Sequence, residues 1–476
     1  MPNEYPHLLR KTAVALAVLV LAGCATVNID KSVEQTNQEL NGFTNGKLSL
    51  VQTDEQRQAM AAKASDILKE PLSQPAAVEL MLTHSPQFQT VLAENWAQAA
   101  QAAQGGRVHN PVFAFERLRF KDELEIGRLL SFGLLDLLSL PARQGIARSQ
   151  IDRAQLQLTS NVVDQVTQVR QAWVDAVAAR QAHDYAQQVF ESAQTSAELA
   201  RRMQEVGNFT RLQRARQQSF YADAALNLAA TRHKATATRE ALVRMLGLNT
   251  AQASQLTLPD RLPDLPEEPK APSEVAKQGE QRLDVRMAKH GFDASAKAQG
   301  LGNVASFVDI EAGVRYDTIF DNDTGERANK KGWELELSLP IFDWGGMKRD
   351  AMDANTLAAA NRLEATLRAA QSTLRESYSA YRTTYDIARH YRDEVVPLRQ
   401  TIADENVLRY NGMFIGVFEL LADSRDQVNT VVQAINAQAD FWRADAALQA
   451  TVVGKPMLVS VSGAAMGAGS DAGGGH

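Results

Sequence analysis

Residues 333–346 have the sequence Trp-Glu-Leu-Glu-Leu-Ser-Leu-Pro-Ile-Phe-Asp-Trp-Gly-Gly, and this stretch decides the fold. Its first part alternates apolar and polar residues, which predicts a strand with one apolar face. A proline and two glycines follow, and residues of these types end regular strands. A long helical pattern over residues 347–409 comes next. We therefore predict a strand that passes through a tight turn into a very long helix.

A second alternating segment precedes this one, so residues 307–340 predict a β-hairpin with a polar loop from Asp317 to Lys331. The apolar positions share one face: Val308, Ile310, Ala312, Val314, Tyr316, Trp333, Leu335, Leu337 and Leu339. The polar positions share the other: Asp309, Glu311, Gly313, Arg315, Glu334, Glu336 and Ser338. Strands of this kind are typical of membrane β-barrels, although a soluble hairpin with one wet face has the same pattern.

Apolar residues within 347–409 recur in steps of three and four, which is the seam of a coiled coil. The seam consists of Leu363, Leu367, Ala370, Leu374, Tyr378, Tyr381 and Tyr385. The segment 142–205 has similar spacing at Val162, Val166, Val169, Trp173 and Val177. Shorter helices are predicted over residues 76–104, 209–247, 274–300 and 414–453. The fold is therefore predicted to be mainly α-helical with a small β part.

The chain matches itself at a spacing near 206 residues, which predicts an internal two-fold repeat. Gly207 matches Gly412, and Gly247 matches Gly454. The first repeat is residues 71–250, with strands within 112–133, and the second is residues 274–455, with strands within 307–340. Five prolines in the segment 251–273 predict an extended linker between the repeats. The Gly-rich tail 456–476 is predicted to be disordered.

The N-terminus predicts a secretory signal peptide at residues 1–23, with Arg10 and Lys11 ahead of a short apolar stretch. The stretch ends at Leu21-Ala22-Gly23-Cys24, which resembles the bacterial lipoprotein box. That resemblance implies cleavage before Cys24 and acylation, with palmitate among the acyl chains, so that residues 24–70 form a lipidated segment. Several acyl chains anchor a protein stably. Ala25 after the cysteine favours the outer membrane by analogy.

Composition narrows the class of function. The formal net charge of −6 argues against binding nucleic acid. Eight scattered histidines and one cysteine give no metal-ligand spacing, and no phosphate-binding loop is present. The sequence thus predicts no enzyme and no cofactor other than the lipid on Cys24.

Two hairpins supply four strands in each chain, and four strands cannot close a barrel. Open sheet edges are not tolerated in lipid, so a membrane role requires copies of the chain to assemble. Two copies would supply eight strands and three would supply twelve, and spacing alone does not choose between them.

These features together resemble the TolC family of outer-membrane efflux channels, over roughly residues 70 to 455. The resemblance rests on the turn at 337–346, on Val395-Val396-Pro397-Leu398, on Tyr410-Asn411-Gly412 and on Phe418-Glu419-Leu420-Leu421-Ala422-Asp423. The signal for lipidation matches the lipoprotein branch of the family.

The resemblance implies a homotrimer in the outer membrane of a Gram-negative bacterium. Twelve strands would form one barrel in the lipid, and the helices would form an α-barrel across the periplasm. A periplasmic adaptor protein and an inner-membrane pump, of the RND type by analogy, would be partners in a tripartite efflux system. The alternatives are an exit duct for type I protein secretion and a non-channel coiled-coil lipoprotein of the envelope.

Two groups of residues are candidate sites in this interpretation. Asp309, Glu311, Arg315, Glu334 and Glu336 would line the barrel and favour cations, unless they form only a solvated polar face. Glu419 and Asp423, with Arg409 and Tyr410, would form a gate at the periplasmic tip, unless the carboxylates are ordinary surface charges. Gly207 and Gly412 are predicted to adopt left-handed backbone at the helix turns that an adaptor would contact.

Overall fold

The fold is taken from a computed structural model, which describes residues 27–44, 47–278, 282–305, 309–321, 323–338 and 341–457. The signal peptide, Cys24 and most of the tail lie outside the described residues. The chain divides into two compact units. Among the described residues, the first comprises those within 27–32, 93–158 and 284–368, and the second comprises those within 33–92, 159–283 and 369–457.

The first unit contains one antiparallel sheet of four strands in the order β1 (Val112–Phe120), β2 (Glu123–Gly133), β3 (Asp309–Asp321) and β4 (Arg327–Ser338). The two hairpins therefore join through β2 and β3, whose sequences lie far apart in the chain. Ile310 pairs with Leu337, and Val314 pairs with Trp333, so apolar residues meet apolar residues across the second hairpin. Strands β1 and β4 are the edges of this sheet.

The predicted polar loop from Asp317 to Lys331 is wrong, because both strands continue through it. Asp317 pairs with Lys330 and Thr318 with Asn329, which leaves only residues 322–326 between the strands. The register supplies ladder hydrogen bonds to these polar residues, and Thr318 is buried beneath its neighbours. Polarity alone therefore did not mark a loop here.

The predicted start of the first long helix at residue 142 is also wrong. Helix α5 (Leu134–Glu205) begins directly after β2 and contains Pro141. Arg143 explains the ordered start: its Nη1 donates to Asp136 Oδ1 at 3.0 Å, and its other nitrogens donate to the Gly105 and Arg107 carbonyls. His109 Nδ1 lies 2.6 Å from Asp136 Oδ2 on the other side.

Several shorter helices differ from the predicted ones. The segment 24–70 contains α1 (Ile29–Glu39) and α2 (Asp54–Ile67), where no element was predicted. The predicted helix 76–104 is two helices, α3 (Gln74–His84) and α4 (Pro86–Gly105), because Ser85 adopts extended backbone before Pro86. The predicted helix 274–300 is likewise two, α8 (Pro272–Gln278) and α9 (Leu283–Ala305).

The second unit holds the aromatic core. Helix α6 (Arg211–Leu246) and the short α7 (Thr250–Gln255) precede the proline-rich linker. Tyr381 and Tyr385 are buried beside Phe441, with ring centroids 5.5 and 5.6 Å away. The Tyr381 hydroxyl accepts from the Lys270 backbone N–H at 3.1 Å, and the Tyr385 hydroxyl donates to the Glu267 carbonyl at 2.9 Å. The linker is thus fixed to this core.

The predicted apolar seams are largely confirmed within this unit. Val162, Val166, Val169, Trp173 and Val177 are all buried, as are Ala370, Tyr381 and Tyr385. Leu367, which belongs to the first unit, is half exposed.

The second long helix has an irregularity that its sequence pattern did not predict. Helix α10 (Gly346–His390) continues through a π-turn at Tyr391–Val395 into α11 (Val396–Asn411), and α12 (Val417–Val453) follows. The Val396 N–H donates to the Tyr391 carbonyl, which is the wider spacing of a π-turn. Pro397 comes next and has no N–H to donate. Among the described helices, none has the length and apolar character that crossing a membrane requires.

Candidate functional site

The first candidate site is the charged face of the sheet. Glu311 pairs with Glu336 and Gly313 with Glu334, so the register places the predicted lining residues on one face. Arg315 follows on that face, two residues after Gly313. Asp309 begins β3 on the same face, and its side chain lies outside what the structure describes.

Arg315 is the centre of this face. Its Nε lies 2.9 Å from Asp317 Oδ2, its Nη2 lies 3.1 Å from Glu116 Oε2, and its Nη1 lies 3.8 Å from Glu334 Oε2. The rigid fork of a guanidinium allows one side chain to reach several acceptors at once. One cation therefore links carboxylates of β1, β3 and β4, and the group of four keeps a net negative charge.

Gly127 on β2 lies close to this group. It stands opposite both Glu116 and Asp317 in the ladder. A Cβ atom added there would lie 3.2 Å from Asp317 Oδ1 and 3.5 Å from Arg315 Nη2. A Cβ would therefore crowd Asp317 and make only an ordinary contact with the guanidinium.

Sequence reasoning missed Glu116, Gly127 and Asp317. Asp317 had been assigned to the loop, and β1 alternates less cleanly than β3. The signal for Asp317 was available, because it continues the two-residue spacing of Glu311, Gly313 and Arg315. Glu116 could not be found in this way, because its contact depends on pairing between two distant hairpins.

The opposite face of the sheet carries apolar side chains that the chain does not cover. Trp333 is 80% exposed and Val314 62% exposed, and Leu335 and Leu337 are about half exposed. Exposed apolar surface of this extent marks a contact with lipid or with another protein.

The second candidate site is the pair of helix turns in the second unit. Gly207 has φ +80°, so the prediction of left-handed backbone is confirmed there. The Asn208 N–H donates to the Met203 carbonyl at 2.8 Å, and the Gly207 N–H donates to the Gln204 carbonyl at 3.0 Å. This pair of bonds is the Schellman motif that ends a helix.

The prediction for Gly412 is wrong, because its φ is −79°. The left-handed residue is Met413, with φ +61°. The Phe414 N–H donates to the Arg409 carbonyl at 2.8 Å and the Met413 N–H to the Tyr410 carbonyl at 2.9 Å, so this turn is also a Schellman motif. Met413 therefore occupies the position of Gly207, at a spacing of 206 residues. A Cβ at Gly412 would lie 2.8 Å from the Phe414 ring, which gives this glycine a steric role instead.

The predicted gate residues lie beside this second turn. Asp423 on α12 accepts a hydrogen bond from the Asn406 amide on α11. Asn406 is buried, and sequence reasoning did not identify it. Tyr410 is 42% exposed, and Arg409 is exposed as well. Within the described part of this chain, the contact of Asp423 is with Asn406 rather than with Arg409 or Tyr410. Glu419 lies in the first turns of α12, and its side chain is not described.

The solved structures that share this fold include the following three. A membrane protein from Pseudomonas aeruginosa matches with a TM-score of 0.67 at 19% identity, over 83% of this chain and 93% of that one. The outer membrane protein VceC from Vibrio cholerae matches with a TM-score of 0.65 at 14% identity, over 84% and 98%. The CmeC outer membrane channel of Campylobacter jejuni matches with a TM-score of 0.65 at 14% identity, over 86% and 89%.

The sequence matches no protein-family model and no curated protein. The structural matches confirm the predicted TolC-type fold. Of the proteins matched, VceC is named as an outer membrane protein and CmeC as an outer membrane channel.

Proposed function

We propose that this protein, whose fold is that of the TolC-type outer-membrane channels, is itself an outer-membrane channel that exports small molecules or metal cations. The observation that carries the proposal is the two-faced sheet. One face presents exposed Trp333, Val314, Leu335 and Leu337, and the other presents the Arg315 cluster and its carboxylates. A sheet that is apolar on one side and charged on the other fits between lipid and a water-filled channel.

The channel would be a homotrimer. Strands β1 and β4 leave both edges of the sheet open, and lipid does not tolerate open edges. Three copies would join β1 of one chain to β4 of the next and close a barrel of twelve strands, with the fold likeness as support for the number three.

The channel would form the outer part of a tripartite efflux system. A periplasmic adaptor would contact the turns at Gly207 and Gly412, and an inner-membrane pump, of the RND type by analogy, would supply the energy. The exposed Met413 and Phe414 beside Gly412 support a protein contact at that turn.

The protein would also carry a lipid anchor on Cys24, with the signal sequence as support. Labelled palmitate should enter the wild type and should not enter Cys24→Ala. Label that persists in the variant would contradict the anchor. Channel assembly should survive the substitution, because the barrel inserts in the membrane by itself.

The channel function is tested by conductance in planar bilayers together with mass measurement in detergent. We expect discrete single-channel steps and a mass of three protomers. A preparation that is monomeric in the membrane would contradict the barrel, and a folded trimer without conductance would leave a structural envelope protein as the function.

A further inference from the structure

The apolar face of the sheet changes character toward the hairpin turns. Near the helices it carries apolar pairs such as Ala312–Leu335 and Val314–Trp333. From the level of Tyr316 toward the turns, the same face carries five basic residues, which we call the outer basic cluster: Arg117, Arg119, Arg128, Arg327 and Lys331. The register fixes this assignment, because Arg128 and Lys331 both pair with Tyr316.

The outer basic cluster has no carboxylate partner among the described residues. Its contacts are with neutral groups: Arg128 Nη1 donates to Thr318 Oγ1 at 3.3 Å, and Arg327 lies 5.4 Å from the Phe320 ring centroid. Lys331 lies 6.0 Å from the ring centroid of Tyr316. No Asp or Glu stands on this face of the four strands in the described register.

The cations of the opposite face behave differently. Arg315 is surrounded by three carboxylates, and Lys330 Nζ lies 3.9 Å from Glu125 Oε1. Lys330 and Lys331 are consecutive residues that point to opposite faces, so one has a carboxylate nearby and the other has none. The charge of the outer basic cluster is thus left for a partner outside the chain.

The size of the cluster suits a headgroup rather than a single ion. It spans all four strands and three successive pairs of residues along them. With strands about 4.8 Å apart and alternate residues about 6.8 Å apart, it covers about 14 Å in each direction. Four to eight basic residues grouped at a membrane surface are a pattern for binding anionic lipid.

Resting on the proposed function, we infer that the outer basic cluster binds the phosphate groups of phosphorylated lipid headgroups in the outer leaflet of the membrane. Basic residues are costly near the middle of a bilayer and nearly free of cost at its surface, so their restriction to the turn end of the strands marks the depth of the headgroups. The aromatic rings of Tyr316 and Phe320 would lie at the same depth in the membrane, with Lys331 over the first ring and Arg327 over the second.

The test compares the two consecutive lysines in the full-length protein. Purified trimer is mixed with vesicles of phosphatidylcholine containing lipopolysaccharide, either intact or with its lipid phosphates removed, and the retained lipopolysaccharide is measured. We expect the apparent affinity for intact lipopolysaccharide to fall about fivefold in Lys331→Gln. The affinity of Lys330→Gln should match that of the wild type. The triple variant Arg117→Gln, Arg327→Gln, Lys331→Gln should lose about a hundredfold.

Substitutions that keep the positive charge distinguish a loss of charge from a loss of folding. The variant Arg117→Lys, Arg327→Lys should bind like the wild type if charge alone matters. Equal retention of intact and dephosphorylated lipopolysaccharide would overturn the inference, and so would an equal loss in Lys330→Gln. Conductance of the same preparations separates the two proposals. Trimers that conduct but show no preference for phosphorylated lipopolysaccharide would support the channel function and contradict the lipid site. Trimers that bind phosphorylated lipopolysaccharide but do not conduct would support the lipid site and contradict the channel function.

Discussion

The two helix turns of the second unit have the same hydrogen bonds and different residues. The first turn places Gly207 at the left-handed position and begins α6 with a capping box, in which Thr210 accepts from the Gln213 N–H and Gln213 from the Thr210 N–H. The second turn places Met413 at the left-handed position, and Gly416, which precedes α12 as its N-cap residue, provides no side-chain cap. A left-handed residue with a Cβ costs roughly 1–2 kcal/mol, so the second turn is held less firmly.

The surfaces of the two turns differ in the same direction. The first is braced from outside by Arg214, whose Nη1 donates to Gln204 Oε1 at 2.9 Å. The first turn exposes Val206 (69%) and Leu212 (62%), and the second exposes Met413 (92%) and Phe414 (80%) more fully. Strained backbone and uncovered apolar side chains are concentrated where a structure rearranges or is met by a partner. The left-handed Met413 therefore predicts that the second turn rearranges more readily than the first.

The largest effect is expected from the carboxylates of the second turn. Replacing Glu419 and Asp423 with Ala should weaken block of the channel by divalent or trivalent cations about tenfold or more. Two unit charges about 6 Å apart interact with roughly 3 kcal/mol at an effective dielectric near 20, so rings of like charge around a threefold axis attract cations strongly. The measurement is single-channel conductance against cation concentration.

The matched control for that experiment is the first turn, with Glu198→Ala and Glu205→Ala. We expect cation block to stay at the wild-type value there. Replacing Arg409 and Tyr410 should make the resting channel leakier. The Glu419/Asp423 variant and the Glu198/Glu205 variant could instead show the same cation block. In that case the carboxylates of the second turn face the outer surface, and the assignment of the gate to that turn is wrong.

The next effect comes from removing the glycine of the first turn. Gly207→Ala should destabilise that turn by about 1 kcal/mol, because its φ of +80° penalises a Cβ although the space around it is open. Hydrogen exchange of the peptide covering residues 203–210 should become about fivefold faster. Gly145→Ala, within α5 and also in open space, serves as the control and should not accelerate exchange. Unchanged exchange in Gly207→Ala would show that the turn tolerates the left-handed strain.

The reverse substitution sharpens the comparison from the other side. Met413→Gly should stabilise the second turn by about 1 kcal/mol, seen as slower exchange over residues 409–416. Phe414→Ala removes a neighbouring exposed side chain without relieving the left-handed position, and should give no such gain. A slower exchange in both would assign the effect to lost apolar exposure rather than to the backbone.

The smallest effect concerns acid. Hydrogen bonds from Arg201 and then Arg202 lower the pKa of Glu198 to about 2. A carboxylate with a lowered pKa stabilises the fold above its ordinary pKa near 4.3, and this contribution is lost as pH falls toward 2. The pair is exposed, so the gain is small. Exchange in residues 198–206, corrected for its intrinsic pH dependence, should rise below pH 4 in the wild type and show no such step in Glu198→Gln.

The helices and hairpins could be predicted because their patterns are local. The steps of three and four through Val162 to Val177 and the alternation through Ile310 to Tyr316 are each complete within one element. The predicted ends of helices and strands were wrong where two local sequence preferences conflicted. Pro86 splits a helix, and Asp317 remains in a strand because the ladder and Arg315 satisfy it.

The sites were harder to predict because they depend on contacts between distant segments. Glu116 and Arg315 are 199 residues apart and meet only because β2 pairs with β3. Asn406 could have been placed near the gate, but its contact with Asp423 needs the geometry of two helices. At the second turn the preference of glycine for left-handed backbone pointed to Gly412, one residue before the residue that adopts it.

The π-turn at Tyr391–Val395 changes the direction in which the side chains of α11 point around the helix axis. It takes up one residue more than an uninterrupted α-helix, which turns the following side chains by about 100° around the axis. Counting in sevens from Tyr378 and Tyr385 therefore assigns the wrong face to Arg409 and Tyr410. One chain segment can in this way direct its tyrosines at the linker in one stretch and offer a different side to its neighbours in the next. Side chains before the π-turn and side chains after it therefore follow two different face assignments along one continuous helical segment.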